Sequence, residues 1–119
     1  MFYVYVIRCE DNSLYTGYTT DVERRINEHF KRDKKGAKYT KSHKLKSVEM
    51  IWECESKSVA MSLEYFFKAL KKAQKEDIIK NPEIIFDITD KFKGRVKKSD
   101  DEDKYQHIDL RTANQNKLC

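Results

Sequence analysis

Apolar residues in this chain are concentrated in four short segments, and the positions between them are largely polar or charged. The segments span Phe2–Ile7, Val48–Trp52, Val59–Leu70 and Ile84–Ile88. A disordered chain rarely gathers its apolar residues in this way. The pattern therefore predicts a folded core, and a length of 119 residues predicts one domain.

Three β-strands are predicted. Phe2–Cys9 is rich in β-branched and aromatic residues, which favours a strand buried on both faces. Asp11-Asn12-Ser13 has the chemistry of a turn, and Leu14–Tyr18 follows as a second strand. Because this connection is short, the two strands should form an antiparallel hairpin. Val48–Cys54 is the third predicted strand.

The first predicted helix follows the hairpin and ends near Lys31. Thr20 is the expected N-cap, and Glu23 three residues later completes a capping box. Apolar positions recur at helical spacing, and Arg25 flanks the stripe that they form. The stripe consists of Val22, Ile26, His29 and Phe30.

The second half of the chain predicts two further helices. Ser56 can cap a helix that runs from Lys57 to about residue 75, and Glu64 lies beside its apolar stripe. A short third helix, residues 74–80, should stop before Pro82 because proline disfavours helix at the preceding residue.

These elements predict an α/β (α+β) domain in the order β-β-α-β-α-α. Its small, mainly antiparallel sheet of three strands should be flanked by helices. Residues 1–80 form the predicted domain, and residues 81–93 a strand or extended segment that packs on it. From residue 94 to 119 charge dominates, which predicts a flexible or weakly helical tail.

Positive charge is unevenly distributed. Residues 24–46 contain ten Lys or Arg and two acidic residues, and residues 57–75 contain five Lys and one acidic residue. The net charge is +5. Two such segments favour a face that meets a polyanion, with a solvated lysine surface as the plainer alternative.

Cysteine usage and hydropathy bear on compartment. Cys9, Cys54 and Cys119 are far apart and include no CxxC pair, so the first two are expected to be small buried hydrophobic residues in a reducing compartment. No secretory signal and no apolar run of membrane-spanning length is evident. We expect a cytoplasmic protein, or a nuclear one from a eukaryotic or viral source, that is not secreted.

Several short motifs follow one another along the chain. They are Tyr3-Val4-Tyr5, Tyr15-Thr16-Gly17, Arg25, His29 and Glu64. In order and spacing they resemble the GIY-YIG nuclease family over residues 3–75, and the chain is most similar to short, free-standing members. Tyr3 stands where the first motif of the family has glycine.

The resemblance implies a Mg²⁺- or Mn²⁺-dependent endonuclease that makes single-strand cuts in DNA, in repair, recombination or the processing of mobile-element or viral DNA. Glu64 would hold the metal, and Arg25 would clamp the scissile phosphate. Tyr5 would activate water as a phenolate favoured by nearby arginines and metal, and Tyr15 would position water or phosphate. His29 would relay a proton or bind phosphate.

Further residues are expected to contact the nucleic-acid backbone. The segment Gly36–Thr40 resembles the GAK-x-T loop of some branches of the family. DNA is the expected partner, with RNA as the alternative. A targeting protein is a further expected partner, which would select the substrate. The protein itself is expected to be a monomer or a weak dimer. The backbone contacts are assigned to Arg24, Lys38, Thr40, Lys41 and Lys68.

Each residue also has a plainer interpretation. Tyr5 and Tyr15 would be packing residues of strands, as most strand tyrosines are. His29 lies on the apolar stripe and would be a hydrogen-bonded core histidine. Glu64 would simply pair with Lys68 one turn later. These interpretations stay open at the level of the sequence.

Two other functions fit the same composition. A nucleic-acid-binding module could retain the fold without chemistry. A basic adaptor protein could act through the acidic residues Asp100–Asp103. The sequence favours the enzyme because all the motif side chains are present together.

Overall fold

The computed structural model describes residues 1–31, 44–102 and 105. It shows an α+β fold in which helices cover both faces of an antiparallel sheet, and the predicted fold class is confirmed. The elements are β1 (Phe2–Cys9), β2 (Leu14–Thr19), α1 (Val22–Lys31), β3 (Leu45–Cys54), α2 (Lys57–Ala69), α3 (Lys72–Lys80), α4 (Ile84–Ile88) and β4 (Val96–Ser99).

The sheet has the strand order β2-β1-β3-β4, and every neighbouring pair is antiparallel. The hairpin of β1 and β2 forms as predicted. Tyr5 of β1 lies opposite Gly17 on β2 and opposite Ile51 on β3. β1 is thus a central strand, and β2 is an edge strand that leaves its outer side open.

The fourth strand departs from the prediction of three strands. The sequence predicts a flexible or weakly helical tail from residue 94, but Val96–Ser99 pair with β3 and Tyr105 packs into the core on the side of α1. Val96 is buried opposite Cys54, whereas Lys97 is exposed. This four-residue segment contains two lysines, and its hydrophobic pattern is too weak to predict a strand. The segment is a strand because it pairs with β3.

Side chains of β1 alternate between two hydrophobic cores, as a strand buried on both faces requires. Val4 and Val6 face α2, α3 and α4. Tyr5 and Ile7 face the opposite side, where they pack with Ile26 of α1. The prediction that β1 is buried on both faces is confirmed.

Helix α1 is capped by Asp21, and the prediction of Thr20 as cap is wrong. An Asp21 carboxylate oxygen accepts a hydrogen bond from the backbone N–H of Arg24 at 3.1 Å. The hydroxyl of Thr19 accepts from the Asp21 N–H at 3.1 Å and holds the cap in place. The predicted stripe is correct, since Val22, Ile26 and His29 are buried and Phe30 is half-buried.

The predicted helix over residues 57–75 is divided into α2 and α3. Ser56 caps α2 as expected, because its hydroxyl accepts from the Val59 N–H at 3.2 Å. Leu70 and Lys71 then adopt extended backbone conformations. Leu70 packs against the core while the Gln74 side chain accepts from the Lys71 N–H at 3.1 Å, which starts α3.

The segment after Pro82 forms a short helix, where the sequence left a strand or an extended segment open. Ile84–Ile88 are helical, and Ile85 is buried. Phe86 meets Trp52 edge to face, with ring centroids 6.1 Å apart. Phe92 follows and is buried as well.

A polar network around Arg8 joins the sheet to α3. Two Arg8 nitrogens donate to the Glu76 carboxylate at 2.6 and 2.8 Å. Arg8 also donates to Glu49 on β3 and, at 2.8 Å, to the Asn12 side chain in the hairpin turn. The hydrogen bonds that Arg8 donates to Glu76 lower the pKa of the Glu76 carboxyl. The Arg8 side chain is only 13% exposed. Its ion pairs with Glu49 and Glu76 therefore have a structural role.

Arg8→Ala should reduce the free energy of unfolding by about 2–4 kcal/mol, because Glu49 and Glu76 would be left half-buried without their donor. Urea denaturation monitored by circular dichroism measures the change. Arg95→Ala is the control, since Arg95 is 60% exposed and 4.0 Å from Glu55, and it should change stability by less than about 0.5 kcal/mol. Equal effects of the two substitutions would contradict this assignment.

Candidate active site

An open cleft of about 700 Å³ lies at the β2 edge of the sheet, where side chains from α1 and α2 meet those of the hairpin. β2 and β1 supply its floor, and the two helices supply its walls. Among the residues that line it are Tyr5, Tyr15, Gly17, Arg24, Arg25 and Glu64. The fold therefore brings side chains from four separate elements to one concave surface.

Three aromatic rings form a cluster at the bottom of the cleft, which we call the ring cluster: Tyr5, Tyr15 and His29. The Tyr5 hydroxyl and Nε2 of His29 are hydrogen-bonded at 2.8 Å. The Tyr15 ring lies 5.2 Å from the imidazole and 6.4 Å from the Tyr5 ring, centroid to centroid. Tyr5 and His29 are buried, whereas Tyr15 is half-buried. The sequence allows His29 to be either a catalytic residue or a hydrogen-bonded core histidine. It is a hydrogen-bonded core residue, and it lies within the candidate site.

Gly17 makes room for the Tyr5 phenol. The two residues are cross-strand partners, and a Cβ atom built on Gly17 would lie only 2.4 Å from the Tyr5 hydroxyl oxygen. Such a contact cannot be accommodated unless the ring moves. The glycine of Tyr15-Thr16-Gly17 is therefore required by space, and its backbone conformation is an ordinary one.

Arg25 projects from α1 into the cleft, with its side chain 22% exposed. One guanidinium nitrogen donates to Glu28 at 2.9 Å, and the guanidinium also hydrogen-bonds the Tyr5 hydroxyl. Arg24, more exposed at the rim, lies 3.5 Å from the other Glu28 oxygen. Sequence reasoning missed Glu28, although spacings of three and four residues from the two arginines are the signal for such a pair.

The electrostatics of the ring cluster differ from expectation. Burial raises the pKa of Tyr5, and the neighbouring Tyr15 adds to this, although the hydrogen bond and charge of Arg25 work in the opposite direction. Without a bound metal or substrate, burial outweighs the arginine, and Tyr5 is a neutral phenol. Burial and the charge of Arg25 lower the pKa of His29 to about 4, so its imidazole is neutral at physiological pH.

Glu64 reaches the cleft from α2, which packs against β1 and β2. Its side chain is 21% exposed, and its charge acts on the Tyr5 phenol. Lys68, one turn later, lies 3.8 Å from the Glu64 carboxylate, and its ammonium stands 5.6 Å from the centre of the Tyr15 ring. The ion pair with Lys68 therefore exists, and it leaves the carboxylate facing the cleft.

A divalent cation fits this arrangement if Glu64 and a substrate phosphate bind it together. Within residues 1–31, 44–102 and 105, no group of three or more His, Cys, Asp or Glu side chains could hold an ion alone. Mg²⁺ prefers oxygen ligands, retains several waters and is commonly bound by one or two carboxylates together with substrate phosphates. An accessible Glu64 in an open cleft meets that requirement, provided that a phosphate completes the coordination.

The predicted backbone contacts are only partly visible. Arg24 and Lys68 flank the cleft from opposite walls, and Lys57 is a further lysine that lines it. Lys38, Thr40 and Lys41 lie outside the described residues, as does Cys119. None of the helices that the structure describes is long and apolar enough to cross a membrane.

Comparison with known proteins finds a family model and several relatives that this chain matches. Residues 1–77 match the family model described as the GIY-YIG catalytic domain. A UPF0213 protein of Fusobacterium nucleatum is 46% identical over 98 residues, covering 82% of this chain and 96% of the relative. A UPF0213 protein of Halobacterium salinarum is 50% identical over 76 residues, covering 64% of this chain and 96% of the relative.

A solved structure is also similar. The solution NMR structure of a UPF0213 protein from Bacillus halodurans has 44% sequence identity and a TM-score of 0.41. The match covers 67% of this chain and 84% of that one.

Gly17→Ala should displace the Tyr5 ring and break its hydrogen bond to His29, because the added methyl group and the phenol cannot share one space. The imidazole would then gain solvent, and its pKa should rise from about 4 towards 6.5. NMR titration of the His29 ring measures this shift.

Gly94→Ala is the matched control. Gly94 has a φ of +76° and open space around it, so the substitution should cost about 1 kcal/mol of stability and leave His29 unchanged. The spatial role of Gly17 would be wrong if both variants titrated like the natural protein.

The lowered pKa of His29 should make the fold less stable in acid. An unfolded chain protonates His29 near pH 6.5, whereas the folded chain does so only near 4. Stability from this residue is therefore complete above pH 6.5 and falls by up to about 3 kcal/mol as the pH drops to 4. Denaturation curves at several pH values, compared between the natural protein and His29→Gln, isolate this component. Parallel pH profiles for the two proteins would contradict it.

Proposed function

Because the chain belongs to the GIY-YIG catalytic domain family, we propose that it is a metal-dependent endonuclease that hydrolyses phosphodiester bonds in DNA. Membership implies a nucleic-acid substrate. The observation that carries the proposal is the convergence of Tyr5, Arg25 and Glu64 on one open, solvent-accessible cleft. They come from β1, α1 and α2, which share no local reason to present polar groups to the same point.

Arg25 is the residue that clamps the scissile phosphate. A guanidinium presents two parallel donors to a phosphate, and Glu28 restricts the orientation of this one by accepting at 2.9 Å. Arg24 and Lys68 on the two walls then neutralise flanking phosphates. Binding should accordingly weaken as salt concentration rises.

The ring cluster activates the attacking water. Tyr5 Oη takes a proton from water as its own proton passes to Nε2 of His29, which requires the histidine tautomer protonated at Nδ1. A neutral imidazole can accept this proton. The positive charge of Arg25 opposes that transfer in the free protein, and a phosphate bound to Arg25 offsets the opposition. Tyr15 holds the imidazole ring from one side.

The new hydroxide forms a bond to phosphorus as the bond to the 3′ oxygen breaks, and the departing oxygen takes a proton from solvent. Glu64 would hold a divalent ion, which would supply stabilisation of negative charge on the phosphate and on the leaving oxygen. Loss of the extra proton from His29 to solvent restores the starting state. The balance of the reaction is hydrolysis of one phosphodiester bond by one water molecule.

Two other functions are weaker on the same observations. A nucleic-acid-binding module without chemistry has no need for a phenol–imidazole hydrogen bond beneath its binding surface. A basic adaptor protein has no need for a buried Tyr5 that a glycine accommodates. The arrangement favours catalysis because each of these features serves a reacting phosphate.

Glu64→Gln should reduce Mg²⁺-dependent nicking of supercoiled plasmid by roughly 100-fold or more, because an amide has no charge with which to hold the cation. Tyr5→Phe should do the same by removing the group that accepts the proton. Glu55→Gln is the matched control, since Glu55 is 55% exposed and does not line the cleft, and it should nick at the normal rate.

Two results would refute parts of the proposal. Full activity of Glu64→Gln in Mg²⁺ would remove the metal assignment. Tight binding of single-stranded, duplex, flap and branched DNA, without cleavage of any of them in Mg²⁺ or Mn²⁺, would identify the silent binding module instead. An RNA substrate cleaved in place of DNA would correct the choice of nucleic acid.

A further inference from the structure

The solvent face of α2 carries an exposed aromatic side chain that the proposed chemistry does not use. Tyr65 is 78% exposed, and Met61, one turn earlier on the same face, is 47% exposed. Among the described residues, the exposed large hydrophobic side chains are Met1, Met61, Tyr65 and Ile88. Two of these four therefore stand together on one helix.

This pair lies directly beside the candidate metal ligand. Tyr65 follows Glu64 in sequence, and successive residues of an α-helix are rotated by about 100°. Lys57, Met61 and Lys68 project between the two, at spacings of four and three residues that place them on the same face. A strand that leaves the cleft across α2 at Glu64 would thus pass Lys68 and then meet the Tyr65 ring.

Charge determines which partner suits this surface. A single exposed tyrosine is ordinary on a soluble protein. Here the ring lies one turn from Lys68, and Lys57 lies two turns before it on the same side of α2; both lysines are exposed. An apolar protein partner that covered this side of the helix would have to desolvate these ammonium groups, whereas a nucleic-acid strand places phosphates against them and a base against the ring. Aromatic rings next to a positively charged track are the usual means of holding unpaired bases.

We propose that Tyr65 stacks on an unpaired base of the strand bound in the cleft, and that the protein thereby selects nucleic acid with unpaired nucleotides next to the cleavage position. The inference rests on the proposed function for the path of the strand. In a continuous duplex each base is stacked between its neighbours, so its face is closed to the ring. Stacking is tolerant of sequence, because every base has a π-face.

Binding without metal tests the stacking separately from the chemistry. Tyr65→Ala should weaken binding of a labelled single-stranded DNA oligonucleotide by about 5- to 150-fold and change duplex binding by less than about twofold. Tyr65→Phe should bind normally, because the ring and not the hydroxyl makes the contact. Ile88→Ala removes an exposed apolar side chain of α4 and should have no effect on either DNA.

A fluorescent base reports on the stacking itself. Oligonucleotides with 2-aminopurine at successive positions should show one position that is quenched by the natural protein and by Tyr65→Phe, but not by Tyr65→Ala. Thermal unfolding of the Tyr65→Ala variant should be unchanged, since the side chain is exposed. Its loss of binding would then reflect the contact and not the fold.

The outcomes separate the two proposals. Suppose that the natural protein cleaves DNA and that Tyr65→Ala has the same preference between single-stranded and duplex DNA, in binding and in cleavage, as the natural protein. The stacking inference is then wrong and the proposed function stands. Equal losses on both DNAs would also overturn the inference, because they indicate a general contact. If the natural protein cleaves nothing, the proposed function falls, and the quenching and binding results still decide whether Tyr65 stacks.

Discussion

The hydrogen bond between the Tyr5 hydroxyl and His29 is the interaction on which the site depends. A phenol on the buried face of a central strand needs a partner, because an unsatisfied buried hydroxyl is costly. His29 supplies the partner from α1, and Gly17 leaves the space in which the two can meet. This hydrogen bond joins the hairpin to α1, the helix from which Arg25 projects into the cleft.

The sheet determines how α2 contributes to the cleft. Because β1 is buried on both faces, α1 and α2 must lie on opposite sides of it, and only the open edge at β2 lets groups from both sides meet. Glu64 stands at the border of the buried face of α2, where it turns towards that edge. A carboxylate one turn earlier or later on the buried stripe would be enclosed in the apolar core, where an unpaired charge is disfavoured. The cleft is therefore a consequence of the layer order as much as of its residues.

Sequence patterns predicted what strong local signals specify. The tyrosine-rich β1 and the stripe of α1 are of this kind, because side-chain burial at a fixed period determines them. The pattern failed where a tertiary contact decides the outcome: β4 exists through pairing with β3, and Leu70 ends α2 by packing into the core. Glu28 escaped notice although it follows the two arginines at helical spacing, because such pairs are common on exposed helix faces and only the fold shows that this carboxylate is buried beside the cleft.

Charge balance explains why such a site can be stable before it binds anything. Tyr5 and His29 are both neutral, and the buried carboxylate of Glu28 compensates the cation of the half-buried Arg25. In the proposed mechanism, a phosphate that enters the cleft would compete with Glu28 for Arg25 and reduce the positive potential at the imidazole. The pKa of His29 would then rise, and the imidazole would more readily accept the proton relayed through Tyr5 once a substrate is bound. Substrate binding and activation of the attacking water would thus be coupled through one guanidinium, and the free protein would not have to hold a buried phenolate.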